Sequence, residues 1–562
     1  MKKITISLIS LLLVVNLAFA GGLVTNTNQS TAWSRMLVRD ASTSIDAVYF
    51  NPAGLTKLDD GLYISFSSQS IFQDQTITNS FKYLNNSTFK GTVSAPVFPS
   101  LYVAYKTNRW AFSFGFNIVG GGGSADFTKG IPMAEVPISS LVGAFSSFGV
   151  TGYSVDMAIK GTSIYYGLQV GASYAISDHV SVFAGVRYVM VRNSYKGHIK
   201  DIKVKTAAGD VRADTFMNGV GDQLTSGATQ ASAASGLYTA AGKGVQPLLD
   251  GGLGGANISY ALANSYITQA QATAMTGALL QLGLTQAQVD AMTFTEIQGA
   301  YYGASTKFAS MAAGFTKQAA QMYGGAKLMA DQNIDVSQSG NGFTPIIGAN
   351  LSFMDNNLNF GIKYEFKTKM TLTNSTPAGK GFVIGMNPDG TPIEMYPNGG
   401  KQNADMPAML SVGAKINVSK MISLQAGYHT YWDSKTDWKD VKTNIKKNSQ
   451  EYAIGAEFTL SKSLLLSLGY LHTTSGINPS YQSDLSYSLN TNTVGAGGAY
   501  KINDALTLQF GGYIVSYQSQ TVPGSYDVAG TPPTPVAYTT KYEKSTWALS
   551  VGIDIAIGKK KK

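Results

Sequence analysis

Alternation of apolar with polar or small residues, repeated along the whole body of the chain, limits what it can fold into. In Ile164-Tyr165-Tyr166-Gly167-Leu168-Gln169-Val170-Gly171-Ala172-Ser173-Tyr174 every even position is apolar, and the odd positions are mostly small or polar. Near the C-terminus Trp547, Leu549, Val551, Ile553, Ile555 and Ile557 share one face, and Ala548, Ser550, Gly552, Asp554 and Ala556 share the other. A period of two belongs to a β-strand with unlike faces. The pattern recurs at 179–194, 357–370, 408–418, 421–432, 451–460, 463–471 and 505–517, and more weakly near 61–73, 98–106, 110–118, 341–354 and 494–501, which makes fourteen candidate strands.

The connections sort into two kinds. Short turns fall at Thr107-Asn108-Arg109, Ser177-Asp178, Asp355-Asn356, Val418-Ser419-Lys420, Ser461-Lys462 and Asn503-Asp504. Long loops near 74–97, 119–161, 197–340, 371–405, 433–450, 474–492 and 518–540 alternate with them. An even strand count with short turns at one end and long loops at the other is the layout of an outer-membrane barrel. Composition agrees: 13% of residues are charged, against about 25% in a soluble domain. Beyond the first twenty residues no apolar run is long enough for a membrane helix. The expected fold is an all-β transmembrane antiparallel barrel of about 14 strands over 61–558, in the bacterial cell outer membrane.

The termini carry their own signals. Lys2 and Lys3, an apolar core from Ile4 to Phe19, and Ala18-Phe19-Ala20 read as a signal peptide over 1–20. Residues 559–562 form a basic tail, and without it and the two leader lysines the net charge of +9 falls to about +3. That residual charge makes no nucleic-acid footprint. There is no cysteine and there are four histidines, none in a metal-binding spacing, so no cofactor, no metal and no enzyme activity are expected. A G-x-S-x-G nucleophile motif is absent from the sequence too.

Residues 21–60 do not alternate, and inside a barrel such a segment would be a plug, or hatch. It contains Asp40-Ala41-Ser42 and then Ala47-Val48-Tyr49-Phe50-Asn51-Pro52-Ala53-Gly54-Leu55. This stretch resembles the hatch signature of the FadL/TodX family of outer-membrane transporters, which carry long-chain fatty acids and other hydrophobic compounds. Phe98-Pro99-Ser100-Leu101-Tyr102-Val103 and Trp110-Ala111-Phe112-Ser113-Phe114-Gly115 are similar to the family's second and third strands. One departure is bulky: Asn28 to Arg35 includes Trp33 where the family has a run of small residues.

The resemblance implies passive uptake of a long-chain fatty acid or other hydrophobic small molecule by a monomer: capture at the outer loops, a hydrophobic lumen site, a shift of the hatch, and lateral release through the wall into outer-membrane lipid. The implied gate is Asn51, Pro52, Ala53 and Gly54 with Asp40. The implied break in the wall is the kinked third strand, here Gly120, Gly121, Gly122 and Gly123, whose run of glycine invites a bulge on its own account. Arg187, Lys363, Lys367 and Lys415 fall on lumen-facing rows; they either brace the interior by pairing with acids or hold an anionic headgroup.

Loop 206–331 reads as a partly helical extracellular insert. Ile297, Tyr301, Ala304, Phe308, Met311, Phe315, Ala319 and Met322 step by three or four, and Thr293-x-x-Glu296 is a capping box. A second helical stretch is expected over about 258–282. Tyr301, Phe308, Met311 and Phe315 either pack within the insert or form an outer capture groove. The alternative function is a structural or adhesive surface barrel whose insert binds a partner.

Overall fold

The computed structural model describes residues 30–387, 390–438, 444–528 and 534–558, with Gly122 and Gly123 described by backbone alone. The expected leader (1–20), the first part of the hatch (21–29) and the basic tail (559–562) lie outside the described residues. Among those described, fourteen antiparallel strands form the barrel. They are β1 (Gly61–Asn79), β2 (Thr88–Thr107), β3 (Trp110–Phe127), β4 (Gly152–Ala175), β5 (Val180–Thr206), β6 (Gln332–Phe353) and β7 (Leu358–Glu365). The second half comprises β8 (Met409–Asn417), β9 (Ile422–Tyr431), β10 (Ser449–Thr459), β11 (Leu464–Thr474), β12 (Thr491–Lys501), β13 (Leu506–Tyr517) and β14 (Thr534–Gly558). Strand β1 pairs with β2 on one side and with β14 on the other, so the sheet closes. Closure satisfies the backbone groups that lipid cannot.

Alternation locates all fourteen strands and all six short turns, but several strands are longer than it indicates. Strand β5 runs 27 residues, against the roughly 9–11 that cross a bilayer. The outer ends stand above the lipid, where nothing requires an apolar row, and there the pattern fades. Within the belt the rows behave as expected: Ile454, Leu468, Leu549 and Val551 are exposed on the outside, while Ser65, Ser67, Gln69 and Ser550 are buried inside.

The hatch fills the lumen with short turns of helix, α1 (Thr31–Ser34), α2 (Ala47–Phe50) and a 3-10 turn over Pro52–Lys57. Nearly all of its described side chains are buried. Inward-facing glycines on the wall make room for it. A Cβ at Gly361 would overlap the Asp40 carbonyl, at Gly427 the Asp40 carboxylate, at Gly469 the Met36 carbonyl, and at Gly511 it would fall 2.8 Å from the Arg35 Cβ. Gly361 pairs with Gly413 and Gly413 with Gly427, so the seat is continuous across β7, β8 and β9.

The outer loops carry the remaining structure. The β3–β4 connection holds α3 (Pro132–Ser139) and α4 (Leu141–Ala144). The β5–β6 connection is the helical insert: α5 (Ala213–Asp250), α6 (Ile258–Ala263), α7 (Gln269–Gln281), α8 (Gln286–Ala291) and α9 (Phe294–Leu328). The capping box at Thr293 and Glu296 is present at the start of α9. The expected stretch over 258–282 breaks into α6 and α7, with Ser265 in a left-handed conformation between them. The 38-residue helix α5 is not indicated by the sequence pattern. Its seam against α9 runs through Met217, Val220, Leu224, Ala228 and Ala231, with Gly221 and the Ser235–Ser305 hydrogen bond where the helices come close.

The glycine seat yields a prediction. Gly469→Ala forces the Met36 backbone off β11, and by analogy with overpacked cores it costs roughly 1–3 kcal/mol. A lowered midpoint for heat-induced mobility shift in detergent is expected, together with faster leakage of small solutes in liposome swelling. An unchanged midpoint and unchanged swelling would show that the hatch does not bear on that position.

Candidate functional site

The hatch meets the two sides of the lumen differently. On the side of β8 to β14 its contacts are apolar and ionic together: Met36, Leu37 and Val38 pack with Ala453 and Leu471 beside a set of ion pairs. Arg39 pairs with Asp46 at 2.5 Å and with Glu457 at 3.3 Å, and Arg35 reaches Glu457 at 2.8 Å. His429 bridges hatch and wall, with Nε2 2.6 Å from Asp40 Oδ1 and Nδ1 2.8 Å from Glu451 Oε2. On the side of β2 to β5 the contacts are apolar: Ile45, Val48, Tyr49, Phe50 and Leu55 pack with Tyr102, Val119, Tyr165, Val189 and Val191.

The gate motif is held by the wall. The Asn51 side-chain amide donates to the Ser42 carbonyl at 3.0 Å and to Asn350 Oδ1 at 2.8 Å. The carbonyls of Pro52 and Ala53 accept from Ser173 Oγ at 2.7 Å and Ser181 Oγ at 2.8 Å. Gly54 lies so close to the Ser42 carbonyl that a Cβ there would overlap it. Two of the lumen cations flank the same segment. Arg187 and Lys363 both pair with Glu365, at 2.6 and 2.8 Å, and lie 4.9 and 4.7 Å from the Tyr49 ring centroid. Lys363 Nζ also donates to the Tyr49 carbonyl at 2.7 Å. The two cations share the single Glu365 carboxylate, an arrangement of the kind that the bracing alternative describes. Lys367 pairs with Asp405 at 3.1 Å beyond the end of β7, and Lys415 lies half-buried in the field of Glu457.

Beside the apolar half the wall is incomplete. Ser94 on β2 pairs with Ser124 on β3, and the next pair is Leu101 with Phe116, so six residues of β2 and seven of β3 stand between without partners in each other. The intervening β2 residues include Pro96 and Pro99, which have no N–H to offer. On the other edge β3 slips register against β4 twice, between Ile118 and Gly120 and between Gly121 and Gly123. Gly121 takes φ +89°, and a Cβ there would overlap the Ser163 carbonyl. The glycines at 120–123 therefore lie at the interruption.

Above the hatch one cation is not matched by an acid. Lys544 lies on the lumen row of β14, eight residues outward of Gly552, which touches the hatch at Thr31. Its Nζ donates to the Tyr487 carbonyl at 2.7 Å and sits 4.0 Å from that ring's centroid. Among the described residues it takes part in no ion pair. Lys544 lies before the alternating stretch 547–557, and nothing in the sequence shows that Tyr487 stands beside it in place of a carboxylate.

The expected capture groove is not where the insert's stripe suggests. Tyr301 is fully buried in the core at the insert's tip and donates to the Met275 carbonyl at 3.1 Å. Phe308 stacks on Tyr238 with centroids 5.7 Å apart, and Phe315 packs on Gly227. These rings join α9 to α5, and Met311 is exposed. An apolar pocket does exist at the insert's base, lined by Met133 and Ile138 of α3, Ile199 and Ile202 of β5, Leu328 of α9, and Phe382. Those residues come from four distant segments, so no local pattern marks them.

No protein-family model matches the chain, and no curated protein matches it. Solved structures do. A Pseudomonas aeruginosa FadL homologue aligns with TM-score 0.53 at 11% identity, over 95% of this chain and 99% of that one. The chain has the fold of that FadL homologue. Lower overlap is found with the P. putida toluene transporter TodX, at TM-score 0.46 and 13% identity over 92% and 95% of the two chains. The Ralstonia pickettii toluene transporter TbuX gives TM-score 0.45 and 13% identity over 95% and 99%. The FadL-homologue fold accounts for the barrel, and the assignment of chemistry to it rests on the residues above.

The Glu365 cluster is testable. Glu365→Gln leaves Arg187 and Lys363 buried without a counter-charge, and loss of one partner of a buried pair costs roughly 3–5 kcal/mol. The expected readout is protease cleavage within the hatch of the folded barrel and a lowered unfolding midpoint. Wild-type resistance in that variant would contradict the bracing role.

Proposed function

We propose that the chain is an outer-membrane channel of the FadL/TodX kind that takes up hydrophobic compounds passively, acting as a monomer. The observation that carries this reading is the interrupted β2–β3 ladder backed by the apolar half of the lumen. A barrel built only to be closed has reason to complete its ladder, since an unpaired backbone group in lipid costs several kcal/mol. An opening between an apolar interior and the bilayer offers a hydrocarbon chain a route that avoids rehydration, worth about 0.8 kcal/mol per CH₂.

In this route the substrate meets the apolar surface at the base of the insert and passes the outer mouth. It enters between hatch and wall on the β2–β5 side and leaves laterally through the interruption. The hydrogen bonds of Asn51, Pro52 and Ala53 hold the hatch beside that passage, and a shift of the segment carrying Tyr49 clears it. Lys544 supplies the charge for an anionic headgroup above the hatch, a role Arg187 and Lys363 cannot share while Glu365 holds them.

A second reading draws on the insert. Helices α5 and α9 contain 38 and 35 residues, a length of roughly 50 Å at 1.5 Å per residue, and they end in a tip with its own core. An arm of that reach suits a structural or adhesive surface barrel. Deleting 206–331 separates the two: uptake survives and surface adhesion is lost if the arm serves a partner.

Purified protein in liposomes is expected to raise the initial rate of labelled oleate entry over empty liposomes, and equal rates would overturn the proposal. Lys544→Met is expected to weaken oleate binding about tenfold, the scale of a lost charge-assisted bond, and to leave toluene binding unchanged. Equal losses for oleate and toluene would assign Lys544 to packing.

A further inference from the structure

On the periplasmic side of the hatch the lumen is a polar network, and most of its members are partnered. Arg35 and Arg39 share Glu457, at 2.8 and 3.3 Å, and Arg39 also holds Asp46. Arg35 reaches Ser467 and Gln509 as well, Asp554 accepts from Ser65 and Gln509, and Asn359 accepts from Ser352. Three neighbouring groups on β8 and β9 stand outside this network. Gln425 is 4% exposed, and neither its amide nitrogen nor its amide oxygen has a hydrogen-bond partner among the described residues. The shielded Ser423 hydroxyl has none either. Lys415 feels the field of Glu457, yet among the described residues it takes part in no ion pair.

Strand register places the three side by side. Lys415 lies directly opposite Gln425, and Ser423 follows on the same lumen-facing row of β9, opposite Glu457 of β10. Lys415 and Ser423 each lie three residues from the short turn Val418-Ser419-Lys420, which in this layout faces the periplasm. The hatch closes over the cluster from the other side. Gly455, opposite Gln425 on β10, is so near Met36 that a Cβ there would fall 2.5 Å from the Met36 Cγ.

A buried amide without a partner is rare in folded proteins, because its lost hydration is not repaid. Here it adjoins a lysine whose nearest acid, Glu457, is already engaged by two arginines. The cluster thus combines an ammonium, an amide N–H and a hydroxyl, all donors, and lacks an acceptor. A cation is repelled by Lys415, and a neutral guest leaves its charge unmatched. A carboxylate has two oxygens to accept from such a set, and bonds of that kind are the strong ones.

We propose that Lys415, Gln425 and Ser423 form a binding site for a carboxylate anion beneath the hatch, open to the periplasm and separate from the passage on the β2–β5 side. One carboxylate oxygen takes the Lys415 ammonium and the other the Gln425 N–H, with Ser423 donating to either. The site stands whether or not the uptake reading does. Its carboxylate comes from a small periplasmic acid or from the head of a carried acid that has passed the hatch. Occupancy completes the floor beside the Glu457 anchor and stabilises the folded barrel by mass action.

Reductive methylation of the purified protein in nonionic detergent, followed lysine by lysine by mass spectrometry, tests this with acetate as the probe. Lys420 in the adjoining turn is exposed and serves as the internal reference. Acetate is expected to slow modification of Lys415 several-fold relative to Lys420, saturably, and sodium chloride at matched ionic strength is expected not to. Equal rates with and without acetate, or equal protection by chloride, would overturn the site. Oleate then separates the sources. Protection by acetate alone assigns the site to a small acid, and protection by oleate at lower concentration assigns it to the head of a carried acid; both support the carboxylate class. Lys415→Met is expected to unfold no earlier than the wild type in carboxylate-free buffer and to lose the rise in midpoint that acetate gives the wild type. A fall as large as that of Glu457→Gln would place Lys415 within the hatch network and overturn the proposal.

Discussion

Every backbone N–H and C=O in the membrane-spanning belt needs a partner within the chain, because lipid provides none. The closed ladder from β1 round to β14 meets this demand, and it fixes the rest. Closure creates an interior that must be filled. The filling sits close to the wall, which places glycine where the hatch backbone approaches. The same demand gives meaning to the one stretch where β2 and β3 do not pair. An interruption that nothing compensates is costly, and here prolines without an N–H lie on one of its edges and glycines at two register slips lie on the other.

The interior is asymmetric with respect to that interruption. Ion pairs of Arg35 and Arg39 with Glu457 anchor the hatch against the far wall, beside the contacts of Met36, Leu37 and Val38 with Ala453 and Leu471. Apolar side chains of the motif segment face the near wall. Buried ion pairs are lost at high cost once one partner goes, whereas apolar contacts exchange for those of a ligand with little penalty. The half of the hatch that faces the opening is thus the half that a hydrophobic guest can replace.

Much of this was legible in the sequence because period two is a local signal. All fourteen strands and six short turns follow from it, and the Asn51-Pro52-Ala53-Gly54 segment stands out by failing to alternate. What was not legible depends on partners distant in sequence. Alternation places Arg187, Lys363 and Glu365 inside but does not say that both cations share the one carboxylate around Tyr49. Lys544 lies before the last alternating stretch, and nothing local shows that an aromatic ring and a carbonyl take the place of an acid beside it. The stripe Tyr301, Phe308, Phe315 is a true helix face, and its partner is α5, whose own stripe of Met217, Val220, Leu224, Ala228 and Ala231 is built largely of small residues toward its middle. The pocket at the base of the insert and the Met133–Asp484 contact join segments far apart in sequence, beyond the reach of any local pattern.

The central claim is that hydrophobic molecules pass between the hatch and the β2–β5 wall and leave through the interrupted ladder. A fatty acid carrying a diazirine near its chain end tests this most directly when it is photolysed during uptake into liposomes and the labelled peptides are mapped by mass spectrometry. The account predicts label on 95–100 and 117–123 and on Val48, Val119 and Tyr165. Label confined to the lipid-facing surface, or to the ionic side around Arg35 and Glu457, would contradict it.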